Sequence, residues 1–155
     1  MKKWLWLGFW SVLLLCVFCA KKSTTEADKV VNNLSVAMDK FQSGMVSEGV
    51  ELVLDSIMKA AEGTGLPRDF EEKIRMIGGG ENFFSSATPA LLREAYQLTG
   101  HDLEMPEPSG EIGAVAEAVG MKLVAAQENL RAGKKQDAVR SLLESLMVMM
   151  PASPR

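Results

Sequence analysis

The chain has 155 residues, with 17 Lys or Arg and 20 Asp or Glu, so its formal net charge at neutral pH is −3. A mildly acidic balance disfavours nucleic-acid binding, which requires a cationic face. The two cysteines, Cys16 and Cys19, both lie near the N-terminus, so no disulfide can cross-link the rest of the chain. We therefore expect an apolar core to hold the remainder together.

The N-terminus has the layout of an export signal. A basic start at residues 1–3 is followed by residues 4–18, which are almost entirely apolar (WLWLGFWSVLLLCVF), and then by a polar run at 21–25. A cationic start, an apolar stretch and a small-residue boundary are typical of a signal peptide. We therefore interpret residues 1–19 as a signal or membrane-targeting segment and residues 20–26 as a tether.

The end of this segment offers a cysteine for lipidation. Cys19 precedes Ala20 and the polar run KKSTT. This arrangement resembles the start of a mature bacterial lipoprotein, although Phe18 stands where that family has Gly, Ala or Ser. The resemblance implies acylation of Cys19, contact with the membrane through the N-terminus, and a location in the cell envelope. Two other fates stay open: cleavage to a soluble periplasmic or secreted protein, and retention of the apolar run as an anchor.

Apolar residues recur at helical spacing through the rest of the chain, and no stretch alternates as a half-buried strand does. In the middle, Asp69 with Glu72 has the spacing of a capping box, and Thr88 before Pro89 predicts an N-cap. We expect a single all-α domain over 27–150, followed by a C-terminal tail at 151–155. The predicted helices cover about 27–43, 46–61, 69–76, 88–98, 110–132 and 135–150.

Two stretches align when the chain is shifted by 89 residues: Ala37–Met58 (AMDKFQSGMVSEGVELVLDSIM) and Ala126–Met147 (AQENLRAGKKQDAVRSLLESLM). In each stretch a glycine, Gly44 or Gly133, separates two helical segments. A helical hairpin exposes an apolar face that it cannot cover alone. We therefore predict two similar hairpins packed as a four-helix bundle, with one or two short extra helices between them.

The C-terminal hairpin also resembles a tetratricopeptide repeat. Gly133, Ala138, Leu142 and Pro151 lie close to that family's small and large positions. The resemblance implies a pair of packed helices, while the 89-residue shift differs from the family's 34-residue period.

Side chains with catalytic or metal-binding chemistry are sparse. His101, the single histidine, has only Asp102 and Glu104 beside it, whereas zinc takes three or four ligands. The glycines at 78–80 lack the Lys-Ser/Thr of a phosphate loop, and no G-x-S-x-G motif occurs. We therefore predict no enzyme, no cofactor and no metal site.

One feature indicates contact with another protein: Phe83 and Phe84 follow the glycines at 78–80 and are candidate partner-contact residues. On the predicted helix at 110–132, the small residues Ala116 and Gly120 lie four apart on the apolar core stripe, where they would let another backbone approach closely. We expect an exported, lipid-anchored helical protein that acts as a protein-interaction or structural module of the envelope. The alternative is a carrier that holds a small ligand, haem or metal inside the bundle. An exposed apolar strip favours the first, and a Met- and Phe-lined cavity favours the second.

Overall fold

The computed structural model describes residues 25–101 and 112–150, with side chains from residue 115 in the second range. Both ranges are helical and contain no β-strand, so the predicted all-α class is confirmed. The predictions for Cys19, for the segment at 1–19 and for the tail at 151–155 lie outside these residues. The helices are α1 (Glu26–Gln42), α2 (Val46–Ala61), α3 (Arg68–Ile77), a 3₁₀ helix (Gly80–Phe84), α4 (Thr88–Gln97), α5 (Ile112–Arg131) and α6 (Lys135–Val148).

The first helix starts at a capping box that the sequence did not predict. Thr25 Oγ1 accepts a hydrogen bond from the Asp28 amide at 3.2 Å, and Asp28 Oδ2 accepts one from the Thr25 amide at 3.1 Å. Two of the otherwise unpaired amides at the helix start are satisfied in this way. The acidic groups of Glu26 and Asp28 also lie in the first turn, where the helix dipole favours negative charge.

The predicted capping box at Asp69 is wrong. Helix α3 begins one residue earlier, at Arg68, after Pro67 as N-cap, and no side chain caps it. Asp69 lies inside the first turn, where its charge favours the helix dipole without accepting a capping bond. Helix α4 is likewise shifted by one residue: Ala87 is its N-cap, and Thr88 is its first helical residue.

Four helices form the predicted bundle. Helices α1 and α2 make one hairpin and α5 and α6 the other, with α1 packed on α5 and α2 on α6. Between the hairpins, α3 packs against α4, α4 packs on α6, and the 3₁₀ helix packs on α2. Buried apolar side chains from all of these elements form a single core cluster. The predicted arrangement of two hairpins with short helices between them is therefore confirmed.

The two hairpin turns have the same backbone structure. Gly44 and Gly133 have φ angles of 75° and 74°, in the left-handed region that favours glycine. In both turns, the residue after the glycine donates its amide to the carbonyl five residues back, which is the bond of a Schellman motif. The donor–acceptor pairs are Met45 N to Lys40 O at 2.9 Å and Lys134 N to Asn129 O at 2.8 Å.

Equivalent helices contact each other across the bundle. Met38 and Gly120 line one groove between α1 and α5. Under the 89-residue shift they correspond to Gln127 and Val31, which are also in contact, because Gln127 Nε2 donates to Val31 O at 3.0 Å and to Ser35 Oγ at 2.9 Å. Such reciprocal contacts are those of a pseudo-twofold axis between the hairpins.

Because of this symmetry, the two turns lie at opposite ends of the bundle. Lys135 Nζ donates to the main-chain oxygen of Glu62 at 3.0 Å, so the α5–α6 turn lies beside the end of α2. The start of α1 lies there too, since α1 and α2 form a hairpin. We call this end, with Thr25, Glu62 and the α5–α6 turn, the proximal end, and the end with the α1–α2 turn the distal end.

Candidate functional site

Helix α5 carries apolar residues on its outer side as well as on its core side. Leu123 is fully buried, whereas Met121 is 62% exposed and Val124 is 43% exposed. Ala116 is also exposed, and Gly120 is half-buried. We call Ala116, Gly120, Met121 and Val124 the α5 strip. Ala116, Gly120 and Val124 are spaced four residues apart and form one row along the helix, and Met121, three residues before Val124, lies beside that row.

The α5 strip differs from the outer side of the neighbouring bundle helix α2. There the exposed residues include Glu48, Glu51 and Asp55, which is the charged face of an ordinary surface helix. Scattered exposed apolar residues are normal, but a group of them on one helix marks a candidate contact site.

Gly120 has no packing requirement within the fold. A Cβ built at this position meets no heavy atom within 4 Å, apart from the backbone of its own helix and its chain neighbours. Glycine in a helix costs about 1 kcal/mol relative to alanine, and no internal contact offsets that cost at Gly120. An approaching backbone is the kind of neighbour that a missing side chain accommodates.

The groove between α1 and α5 is small, and Ala116 and Gly120 of the α5 strip form part of its lining. Met38 and Phe41 of α1 and Val119 and Leu123 of α5 line it, and its volume is about 60 Å³. Sites for drug-sized ligands and cofactors enclose roughly 300–1,000 Å³. This Met- and Phe-lined groove therefore provides no space for a haem.

The two predicted contact residues in the 3₁₀ helix have different environments. Phe83 is fully buried, whereas Phe84 is 52% exposed. Their rings meet edge to face, with centroids 5.1 Å apart and an interplanar angle of 81°. Phe83 belongs to the core, and Phe84 is the member of the pair that a partner protein can reach.

Gly79 and Gly80, at the start of the 3₁₀ helix, lie under the side chain of Glu51. A Cβ on Gly79 would be 2.6 Å from Glu51 Cγ, and one on Gly80 would be 3.2 Å from Glu51 Oε1. Gly78 and Gly80 also have positive φ angles, of 68° and 64°. Close packing and backbone geometry thus account for the three glycines without a ligand.

A polar cluster links α4, α5 and α6. Tyr96 Oη donates to Glu144 Oε1 at 3.0 Å, and Lys122 Nζ donates to Glu144 Oε2. Burial, together with the hydrogen bond to Glu144, raises the pKa of Tyr96 above its ordinary value of 10.0. The sequence gives no signal for this cluster, because Tyr96 and Glu144 are 48 residues apart. Each of the three side chains has a hydrogen-bond partner within the cluster. The cluster therefore links the helices and leaves none of these groups available for a ligand.

The described ranges contain neither a cluster of metal ligands nor a helix that could cross a membrane. His101 is exposed at the end of the first range, while Asp102 and Glu104 lie outside it. No group of three or more His, Cys, Asp or Glu suited to a metal ion occurs in residues 25–101 and 112–150. None of the helices in these ranges has the length and apolar content needed to cross a bilayer.

The α5 strip is thus the best candidate for a functional surface. The sequence predicted its small residues, Ala116 and Gly120, but placed them on the core stripe. Met121 and Val124 were not predicted as contact residues. The signal for them was present in the sequence, because both are apolar and lie outside the core stripe of α5. Comparisons with protein-family models, curated proteins and solved structures give no significant match to this chain, so its function must be inferred from its own residues.

Proposed function

We propose that this protein is exported, is anchored to a membrane by a lipid on Cys19, and acts as an interaction module of the cell envelope. Its partner, in this proposal, is a helix of another envelope protein that packs on the α5 strip. The observation that carries the proposal is the exposed apolar strip around Gly120 on a helix whose other side is buried in the core.

The chemistry of the strip suits a helical partner. Gly120 and Ala116 lack bulky side chains, so a second helix can approach closely and pack against the backbone. Met121 is unbranched and flexible, so it adapts to the shape of whatever covers it. Glu117 and Glu128 are exposed before and after the strip's centre and provide the polar surroundings of a typical contact surface.

The anchoring part of the proposal is supported by the order of the segments in the sequence. The apolar core is assembled from α1 to α6 and the 3₁₀ helix, all of which follow Thr25. In the sequence, the apolar run at 4–18 precedes Cys19, and the polar residues after Cys19 are suited to connect a lipid to the domain.

Site-specific photo-crosslinking in the intact envelope tests the contact. A photoreactive amino acid replaces Met121 in the strip or, as the matched control, Met76 on α3, a methionine that is 59% exposed. We expect an adduct of one discrete mass from position 121 and none from position 76. Gly120→Leu, which adds a side chain in open space, should abolish the adduct without unfolding the protein. Equal adducts from both positions, or an adduct unaffected by Gly120→Leu, would contradict the proposal.

A further inference from the structure

The turn between α5 and α6 carries uncompensated positive charge. Arg131, Lys134 and Lys135 are all exposed. In the described ranges, none of the three is within ion-pair distance of a carboxylate. Lys135 donates to the main-chain oxygen of Glu62, which leaves its charge in place. Three cations are thus available to an anionic surface.

Most carboxylates near the proximal end already have partners. Glu26 pairs with Lys29 at 2.6 Å, Asp55 with Lys59 at 2.7 Å, and Asp137 with Arg140 at 2.9 Å. Asp28 caps the start of α1. Glu62 and Glu128 are exposed acids at this end, so the end as a whole is close to neutral and the positive charge is confined to the α5–α6 turn.

The backbone of this turn does not require its charges. The equivalent turn at the distal end has nearly the same N-cap angles, with φ −84° and ψ 63° at Met45 against φ −87° and ψ 66° at Lys134. That turn has no charged residue at the three corresponding positions. The same backbone conformation therefore forms without these cations, and the fold of the turn does not explain their presence. The corresponding residues are Gln42, Met45 and Val46 in place of Arg131, Lys134 and Lys135.

The cationic turn borders an open depression. Its volume is about 400 Å³, and it is lined by Gly63, Thr64 and residues 133–137. The first turn of α6 lies at this depression, and no side chain caps that helix start. Uncapped amides at a helix start favour anions, and here they adjoin Lys134 and Lys135. The surface therefore has room and charge for phosphate groups.

The α5–α6 turn lies at the same end of the bundle as Thr25, the described residue nearest to the proposed anchor. Thr25 lies at the proximal end, and the six residues from Ala20 to Thr25 span at most roughly 20 Å. A lipid on Cys19 would keep the cationic turn close to the membrane. Stable attachment of lipidated proteins commonly combines an acyl chain with basic residues that bind anionic lipids.

We propose that the α5–α6 turn docks on the anionic phospholipid headgroups of the membrane, so that the proximal end rests on the bilayer and the distal end points away. This inference rests on the proposed anchoring at Cys19. Met121 lies ten residues before Arg131, which is roughly 15 Å along the helix. The α5 strip is thereby held clear of the headgroups and accessible to a partner.

Lysine footprinting of the full chain tests the docking. The membrane-bound protein is extracted from cells and reconstituted into phosphatidylcholine vesicles, with or without a fraction of phosphatidylglycerol. An amine-acylating reagent is added, and mass spectrometry gives the rate of modification of Lys135 relative to Lys40, which lies at the distal end. We expect phosphatidylglycerol to lower this ratio at least about threefold, and high salt to restore it.

Two double variants with the same change in net charge provide the control. Arg131→Glu with Lys134→Glu should abolish the effect of phosphatidylglycerol, whereas Arg75→Glu with Arg93→Glu, on α3 and α4, should preserve it. A ratio that does not respond to phosphatidylglycerol, or two variants that behave alike, would overturn the docking. A protein absent from the membrane fraction would instead overturn the anchoring; the soluble form is then added to the same vesicles, and the same ratio decides the docking.

Discussion

The ring of Phe41 occupies the space where a side chain on Gly49 would begin. A Cβ at Gly49 would lie 2.6 Å from Phe41 Cε1, which is closer than carbon atoms approach. In the second hairpin, the equivalents of this pair are Leu130 and Ala138. The two hairpins thus fill equivalent spaces with different pairs of residues. The first hairpin uses a large side chain opposite a glycine, and the second uses leucine opposite alanine.

A double-mutant cycle tests this relationship. Gly49→Ala should destabilise the protein by about 1 kcal/mol, because an overpacking cost of about 1–3 kcal/mol exceeds a helix-propensity gain of about 1 kcal/mol. In Phe41→Leu/Gly49→Ala, which copies the second hairpin, the loss should be smaller than the sum of the single losses. Denaturant unfolding of the four proteins measures the coupling. Strictly additive free energies would show that the two residues do not constrain each other.

The fold requires glycine at positions 44 and 133 but not at position 120. Gly44→Ala and Gly133→Ala should each cost about 1–2 kcal/mol, since both residues have left-handed φ angles. Gly120→Ala should instead stabilise the protein by about 1 kcal/mol, because Gly120 is helical and its Cβ would meet open space.

Thermal or denaturant unfolding of these three variants measures the difference. If Gly120→Ala raises stability and also weakens the crosslink formed at position 121, Gly120 is needed for contact with the partner and is not needed for folding. A loss of stability in Gly120→Ala would show instead that the fold itself needs glycine there.

Tyr96 should make stability depend on alkaline pH. Its pKa is raised in the folded protein by burial and by the hydrogen bond to Glu144. The folded state therefore keeps the phenol proton to a higher pH than the unfolded chain does. The resulting stabilisation is complete below the ordinary pKa of 10.0 and is lost as pH rises through the folded-state pKa.

Tyr96→Phe should cost about 1–2 kcal/mol at neutral pH, because Glu144 loses a donor while the ring still fills a site that is only 6% exposed. The difference in unfolding free energy between wild type and variant should shrink above pH 10. Since Tyr96 is the single tyrosine of the chain, tyrosinate absorbance reports its pKa directly. An unshifted tyrosinate midpoint would contradict the buried hydrogen bond.

The helices and their pairing could be predicted because they depend on local spacing and on two glycines. Gly44 and Gly133 mark turns whose backbone conformation glycine favours, and the 89-residue repeat identifies both hairpins from the sequence alone. The start of α3 was predicted wrongly because Asp69 and Glu72 have capping-box spacing, while the chain leaves Pro67 directly into the helix.

The surface could not be predicted to the same extent. Phe83 and Phe84 are neighbours in sequence, and only the packing of the 3₁₀ helix on α2 decides that Phe83 is buried and Phe84 exposed. The role of Gly49 likewise depends on a ring eight residues earlier. The Tyr96–Glu144 bond depends on where the short middle helices settle against α6, which periodicity within one helix does not specify.

The intact mass of the membrane-associated protein tests the proposed anchoring most directly. We predict a chain that begins at Cys19 and carries the additional mass of acyl groups, and we predict that Cys19→Ser releases or mislocalises the protein. A membrane-bound chain that retains residues 1–18, or a cleaved chain without added lipid, would contradict anchoring through Cys19.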